Sequence, residues 1–160
     1  MIELNNVEDH LSFRCEVIGY EFPDNPEDDW CLLKVDIKQG YQSFEAVDPA
    51  IEASDLVRIF EWFKCLAEHR LPPYAELCFT EPCISFGFLA HRNEKVRISI
   101  ELSNKLKPDF NLSQFGLSET DWRIVFELDN VDFERTLHGI EAATRQHPIR
   151  CPKKQKRDGG

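Results

Sequence analysis

Two-residue alternation of apolar and polar side chains, repeated along the chain, is the feature of this sequence that leaves the fewest folds open. Leu11, Phe13, Cys15 and Val17 alternate with Ser12, Arg14 and Glu16; Cys31, Leu33, Val35 and Ile37 alternate with Leu32, Lys34 and Asp36. The same period returns over residues 75–79, 84–90, 95–102 and 122–128. Successive side chains of an extended chain point to opposite faces, so each run buries one face and wets the other. Parallel strands covered on both sides would read as unbroken apolar runs, so the pattern predicts a half-exposed, mostly antiparallel sheet. Hairpins are expected at Lys38-Gln39-Gly40, leading into a weaker strand around residues 41–47, and at His91-Arg92-Asn93-Glu94.

Two segments change to helical period. Leu56, Ile59, Phe60, Phe63, Leu66 and Ala67 line one face of a helix over residues 54–69, with Ser54 as N-cap, Asp55 in the first turn and Pro72-Pro73 as the stop. Phe133, Leu137 and Ile140 form the stripe of a second helix over residues 131–146, capped by Asp129 or Asn130 and closed by Pro148. Gly139 sits inside it, at a cost of about 1 kcal/mol relative to alanine. Residues 103–121 fit no regular element, although Leu106, Phe110, Leu112, Phe115 and Leu117 are apolar enough to tack the stretch onto the body. The expected class is therefore α+β, a two-layer domain in the order βββ-α-ββββ-α. One sheet of about six or seven strands would carry both helices on one face. No internal repeat is read. Residues 1–150 are expected to form a single domain and residues 151–160 a basic, unstructured tail.

At 160 residues and 42% hydrophobic content the chain can bury a core without a metal or disulfide staple. No uncharged apolar run approaches the ~18 residues of a membrane-spanning helix, and Met1–Asp9 has neither the basic nor the apolar region of a secretory leader, so a cytoplasmic protein is expected. The six cysteines form no Cys-x-x-Cys pair, which predicts free thiols, no zinc and no cofactor.

The formal charge is −10, and it is unevenly spread. Five of the 19 Lys and Arg residues but one of the 29 Asp and Glu residues lie in 150–160, so residues 1–149 carry 14 basic against 28 acidic side chains, a net of −14. Such a body repels nucleic acid and speeds encounter with a basic protein; the basic tail is a separate matter and could touch phosphates. The densest acidic patch is Asp24, Glu27, Asp28 and Asp29, in a loop stiffened by Pro23 and Pro26 and ending at Trp30. These residues are the expected partner-binding surface, with the carboxylates receiving Lys or Arg and Trp30 as an anchor; a plain solvated loop, with Trp30 beginning the buried strand, is the simpler reading. Asp55, Glu61 and Trp62 of the first helix are the second expected surface. Calcium is a rival for the loop, but the Asp-x-Asp-x-Asp-Gly spacing is missing.

Phosphate loops, the Gly-x-Ser-x-Gly elbow and His-Glu-x-x-His do not occur. None of His10, His69, His91, His138 and His147 has a neighbour that singles it out as catalytic. Glu81, before Pro82 and beside Cys83, is the one acid with a general acid–base alternative; a turn-fixing role is the simpler reading. No catalytic residue is therefore assigned.

The stretches Gly19-Tyr20-Glu21-Phe22-Pro23, Asp29-Trp30-Cys31-Leu32-Leu33, Asp48-Pro49-Ala50-Ile51 with Trp62-Phe63 after it, Phe79-Thr80-Glu81-Pro82-Cys83-Ile84-Ser85-Phe86 and His147-Pro148-Ile149-Arg150 follow one another in an order that resembles the WapI-type bacterial immunity proteins. The resemblance implies a non-catalytic protein that binds a cognate toxin, often a nuclease, and blocks it. It assigns no contact residues. A general interaction or regulatory module is the alternative, and a small enzyme built on Glu81 and a cysteine or histidine the third.

Overall fold

A computed structural model of the chain describes residues 1–112 and 122–151. Among the described residues, eight strands form two four-stranded antiparallel sheets. The first sheet runs β1 (Ile2–Asn6), β2 (Leu11–Tyr20), β3 (Trp30–Gln39) and β4 (Gln42–Glu52) in sequence order; the second runs β5 (Glu76–Leu77), β6 (Ile84–Arg92), β7 (Lys95–Leu102) and β8 (Trp122–Leu128). Helices α1 (Ala53–Ala67) and α2 (Asn130–Gln146) follow β4 and β8. The α+β class is as expected, but there are eight strands rather than six or seven, and two sheets rather than one. The element order ββββα thus occurs twice, a repeat that sequence patterning does not betray.

The strand missed in the sequence is β1, in which only Ile2 and Leu4 are apolar and buried. Two apolar positions are too few to establish a period. Its partner β2 holds it in register from Ile2↔Cys15 to Asn6↔Leu11. The turn between them is local chemistry: Asn6 Nδ2 donates to Asp9 Oδ2 at 2.8 Å, and Asp9 N donates to Asn6 Oδ1 at 3.1 Å. The two expected hairpins are tighter than the sequence suggested. Gln39↔Gln42 encloses Gly40-Tyr41, with Gly40 at φ +58°; Arg92↔Lys95 encloses Asn93-Glu94, both at positive φ, the signature of a type I′ turn.

One core runs through both sheets. Phe13 of β2 meets Phe126 of β8 with ring centroids 6.4 Å apart, and β1 lies against β8. The helices tie the sheets together by crossing over. Although α1 follows the first sheet, its Trp62 and Phe63 pack on Phe86 of the second, at 6.2 and 5.6 Å between ring centroids. In turn α2, which follows the second sheet, packs on β1, where Arg135 Nη2 donates to Glu3 O at 3.2 Å. The helices also pack on each other.

Capping starts α1 two residues earlier than Ser54. Glu52 is the N-cap, and its backbone N–H donates to Asp55 Oδ2 at 2.9 Å in a capping box. At α2 the expected Asp129 is the cap, with Asp132 N donating to its Oδ1 at 2.9 Å; that bond holds the Asp129 carboxyl below the usual range. Residues 103–112 are partly regular, with a short 3₁₀ turn at Asn104–Leu106 that buries Leu106. Phe110 stacks edge-on against Trp122 at 6.3 Å. Phe115, Leu117 and residues 152–160 of the expected tail lie outside the described residues.

Gly139 is explained by the N-terminus. A Cβ built there would stand 2.1 Å from the carbonyl oxygen of Met1. Backbone lies in the way, not a side chain that could swing aside. Gly139→Ala should therefore destabilise the protein by about 1–3 kcal/mol, where helix propensity alone predicts a gain of about 1 kcal/mol. Urea unfolding decides the sign.

Candidate functional site

The acidic loop leaves the first sheet where its ladders are irregular. The β2–β3 register shifts between Val17 and Gly19, and the β3–β4 register between Cys31 and Leu33. Bulges of this kind bend strands and strengthen their twist. The loop then fixes itself: Asn25 N donates to Phe22 O at 3.1 Å, Glu27 N to Asn25 Oδ1 at 3.1 Å, and Trp30 N to Asp28 Oδ1 at 2.9 Å.

Its last carboxylate is not on the surface. Asp29 is 1% exposed. Its Oδ1 accepts from Arg150 N at 2.9 Å and its Oδ2 from Cys151 N at 3.1 Å, while Arg150 Nε stands 3.7 Å from Oδ1. Arg150 in turn grips the loop backbone, donating to Pro23 O at 2.9 Å, to Phe22 O at 3.1 Å and to Asp28 O. Its guanidinium lies 3.6 Å over the Tyr20 ring, and the Tyr20 hydroxyl donates to Pro148 O at 2.5 Å. The segment after α2 is therefore a clamp across the base of the loop.

The eight residues expected to contact a partner fall into two groups. Asp29, Asp55 and Trp62 are buried and occupied internally: Asp29 by the clamp, Asp55 by the α1 cap and Arg58 at 2.8 Å, and Trp62 by the core, with its indole N–H on Tyr74 O at 3.0 Å. Their polar atoms complete the fold, so none presents a face to a partner here. Asp24, Glu27 and Glu61 are exposed, and Asp28 and Trp30 are half-buried.

Beside the loop the structure forms an open groove of about 480 Å³ lined by Glu21, Trp30, Asp48, Pro49, Glu81, Cys83, Asn104 and Lys105. The groove draws on the ends of β2, β3 and β6, on β4, and on the 3₁₀ turn, so distant segments converge there. Asp48, 8% exposed, takes the Cys83 thiol on Oδ2 at 3.3 Å, and Oδ1 lies 3.3 Å from Lys105 Nζ. Burial, followed by this bond to a carboxylate, pushes the Cys83 thiol above its ordinary pKa. Glu21, Asp48 and Lys105 were not singled out as site residues from sequence. The available signal was that Glu21, Trp30, Asp48, Pro49, Glu81 and Cys83 all belong to the quoted family-like stretches. Elsewhere, a smaller pocket of about 180 Å³ also contains carboxylates and Trp122, but Glu101 is paired there with Arg123 and Glu76 with Ser85.

Among the described residues, no group of three or more His, Cys, Asp and Glu side chains is placed to hold a metal ion, and no helix is long and apolar enough to cross a membrane. Neither the curated proteins nor the solved structures contain a match to this chain. The family model described as the immunity protein WapI-like family matches residues 2–148, a span from β1 to the end of α2 and on to Pro148. With nearly the whole chain matched, this protein belongs to the WapI-like immunity protein family, and a toxin-immunity role is what that membership suggests.

Proposed function

We propose that the protein neutralises a cognate toxin by binding it, not by transforming it, and that a basic surface of the toxin meets the acidic loop and the groove beside it. A nuclease domain fits this role, because holding phosphates requires a basic cleft. The observation that carries the reading is a pre-set acidic surface. Asp24, Glu27 and Asp28 sit on a loop locked by Arg150, next to a groove containing Glu21, Asp48 and Glu81. A loop backbone held before the encounter loses little conformational entropy on binding, and a net of −14 over residues 1–149 steers a cationic partner. The setting of Cys83 supports a binder over an enzyme: burial and the bond to Asp48 raise its thiol pKa, the opposite of what a nucleophile needs. The site of action is proposed to be the cytoplasm.

The experiment pairs the protein with the toxin domain encoded beside its gene. Cells lacking the protein should die when that domain is expressed, and equal survival would end the reading. Asp24→Lys with Glu27→Lys should slow association at least about tenfold at low salt, with dissociation little changed, because exposed charges act mainly on encounter. Both positions are exposed, so the melting curve should not move. An association rate that stays put transfers the contact surface to another acidic region, with Glu61 of α1 the next to test.

A further inference from the structure

We propose that the groove is a seat for one arginine side chain of the partner, an inference that rests on the toxin-binding function above and assigns the contact within it. Three observations converge. First, the lining combines an aromatic wall, Trp30, with carboxylates from three different segments, Glu21, Asp48 and Glu81. A planar guanidinium can stack on an indole and bond a carboxylate with two N–H groups at once, which an ammonium cannot do.

Second, the groove already holds a cation, and holds it loosely. Lys105 Nζ is 3.3 Å from Asp48 Oδ1, yet the Lys105 side chain is 78% exposed while that of Asp48 is 11% exposed. The carboxylate is committed to the groove, whereas the lysine reaches it from the rim and can leave at small cost.

Third, the same two strand ends hold an arginine already. Tyr20 and Asp29 take Arg150, with the guanidinium 3.6 Å over the ring and Nε 3.7 Å from the carboxylate. Their chain neighbours Glu21 and Trp30, joined by the bond from Glu21 N to Trp30 O at 2.8 Å, line the groove. One aromatic–acid pair therefore binds an arginine, and the pair next to it along both segments lines the groove.

The occupant is thus an arginine that displaces Lys105 from Asp48. The test uses a defined probe, Nα-acetyl-arginine amide, titrated into the full chain and followed by the Trp30 indole N–H and the Cys83 and Asn104 backbone amides in NMR. The expected result is saturable shifts at these three positions, weaker for the lysine analogue. Lys105→Met should tighten the probe, and Glu21→Gln or Glu81→Gln should weaken it, each about threefold. Shifts confined to Asp24 and Glu27, or an affinity indifferent to Lys105→Met, overturn the proposal. The two readings separate cleanly. If the probe binds in the groove but the protein protects no cell, the toxin-binding function fails and the seat stands. If cells are protected while the probe bypasses Trp30, the seat fails and the function stands.

Discussion

Asp29→Ala should cost about 3–5 kcal/mol of folding stability, the range for removing one partner of a buried ion pair. The cost has two parts. The guanidinium of Arg150, whose side chain is 18% exposed, loses its counter-charge, and the backbone N–H groups of Arg150 and Cys151 lose their acceptors. Arg150→Met should be costly as well, since it frees the carbonyls of Phe22, Pro23 and Asp28 and uncovers Tyr20. Because both substitutions break the same clamp, the double variant should lose clearly less than the sum of the singles. Urea unfolding of the three variants measures this. A loss below about 1 kcal/mol for Asp29→Ala, as for an exposed pair, would mean that the clamp does not hold the loop. The consequence for experiment is direct: reversing Asp29 tests the fold, whereas reversing Asp24 and Glu27 tests the proposed recognition.

Alkali should destabilise the protein through two buried thiols. Cys15 and Cys31 are 1% and 0% exposed, and burial pushes both thiols from 9.0 up to about 12, with the charge of Asp29 adding to the effect at Cys31. A folded-state pKa raised above the unfolded value means stability that is complete below pH 9 and is lost as pH climbs toward 12, because only the unfolded chain ionises its thiols. Each thiol contributes a slope of roughly 1.4 kcal/mol per pH unit in that window. Unfolding free energies measured at several values from pH 8 to 11 give the slope, and Cys15→Ala should reduce it by about 1.4 kcal/mol per unit whatever its effect on stability at pH 8. An unchanged slope in that variant would remove Cys15 as a source of alkaline lability.

Much of the architecture was legible because it depends on near neighbours. Alternation marked the long strands, period 3.6 marked both helices, and the cap of α2 was narrowed to Asp129 or Asn130 because a cap bonds within its own first turn; the structure takes Asp129. The failures share a cause. Strand β1 carries two apolar positions, and only pairing with β2 makes it a strand. The division into two sheets, and the crossing of each helix onto the other's sheet, depend on contacts such as Phe63 with Phe86 that leave no periodic trace. Gly139 looked like a weakness of α2 until Met1 was found against it.

The site divides in the same way. That this chain is acidic, that its carboxylates cluster at residues 24–29 and that its blocks resemble an immunity family were all settled by composition and order along the chain. Which of those carboxylates is buried was decided only by the fold, since Asp29 is claimed by Arg150, 121 residues further on. The groove, likewise, exists only where β4, the 3₁₀ turn and the loops before β3 and β6 come together. Charge and periodicity are summed over neighbours and survive in a one-dimensional string, whereas burial and partnership depend on which distant segment the folded chain brings alongside.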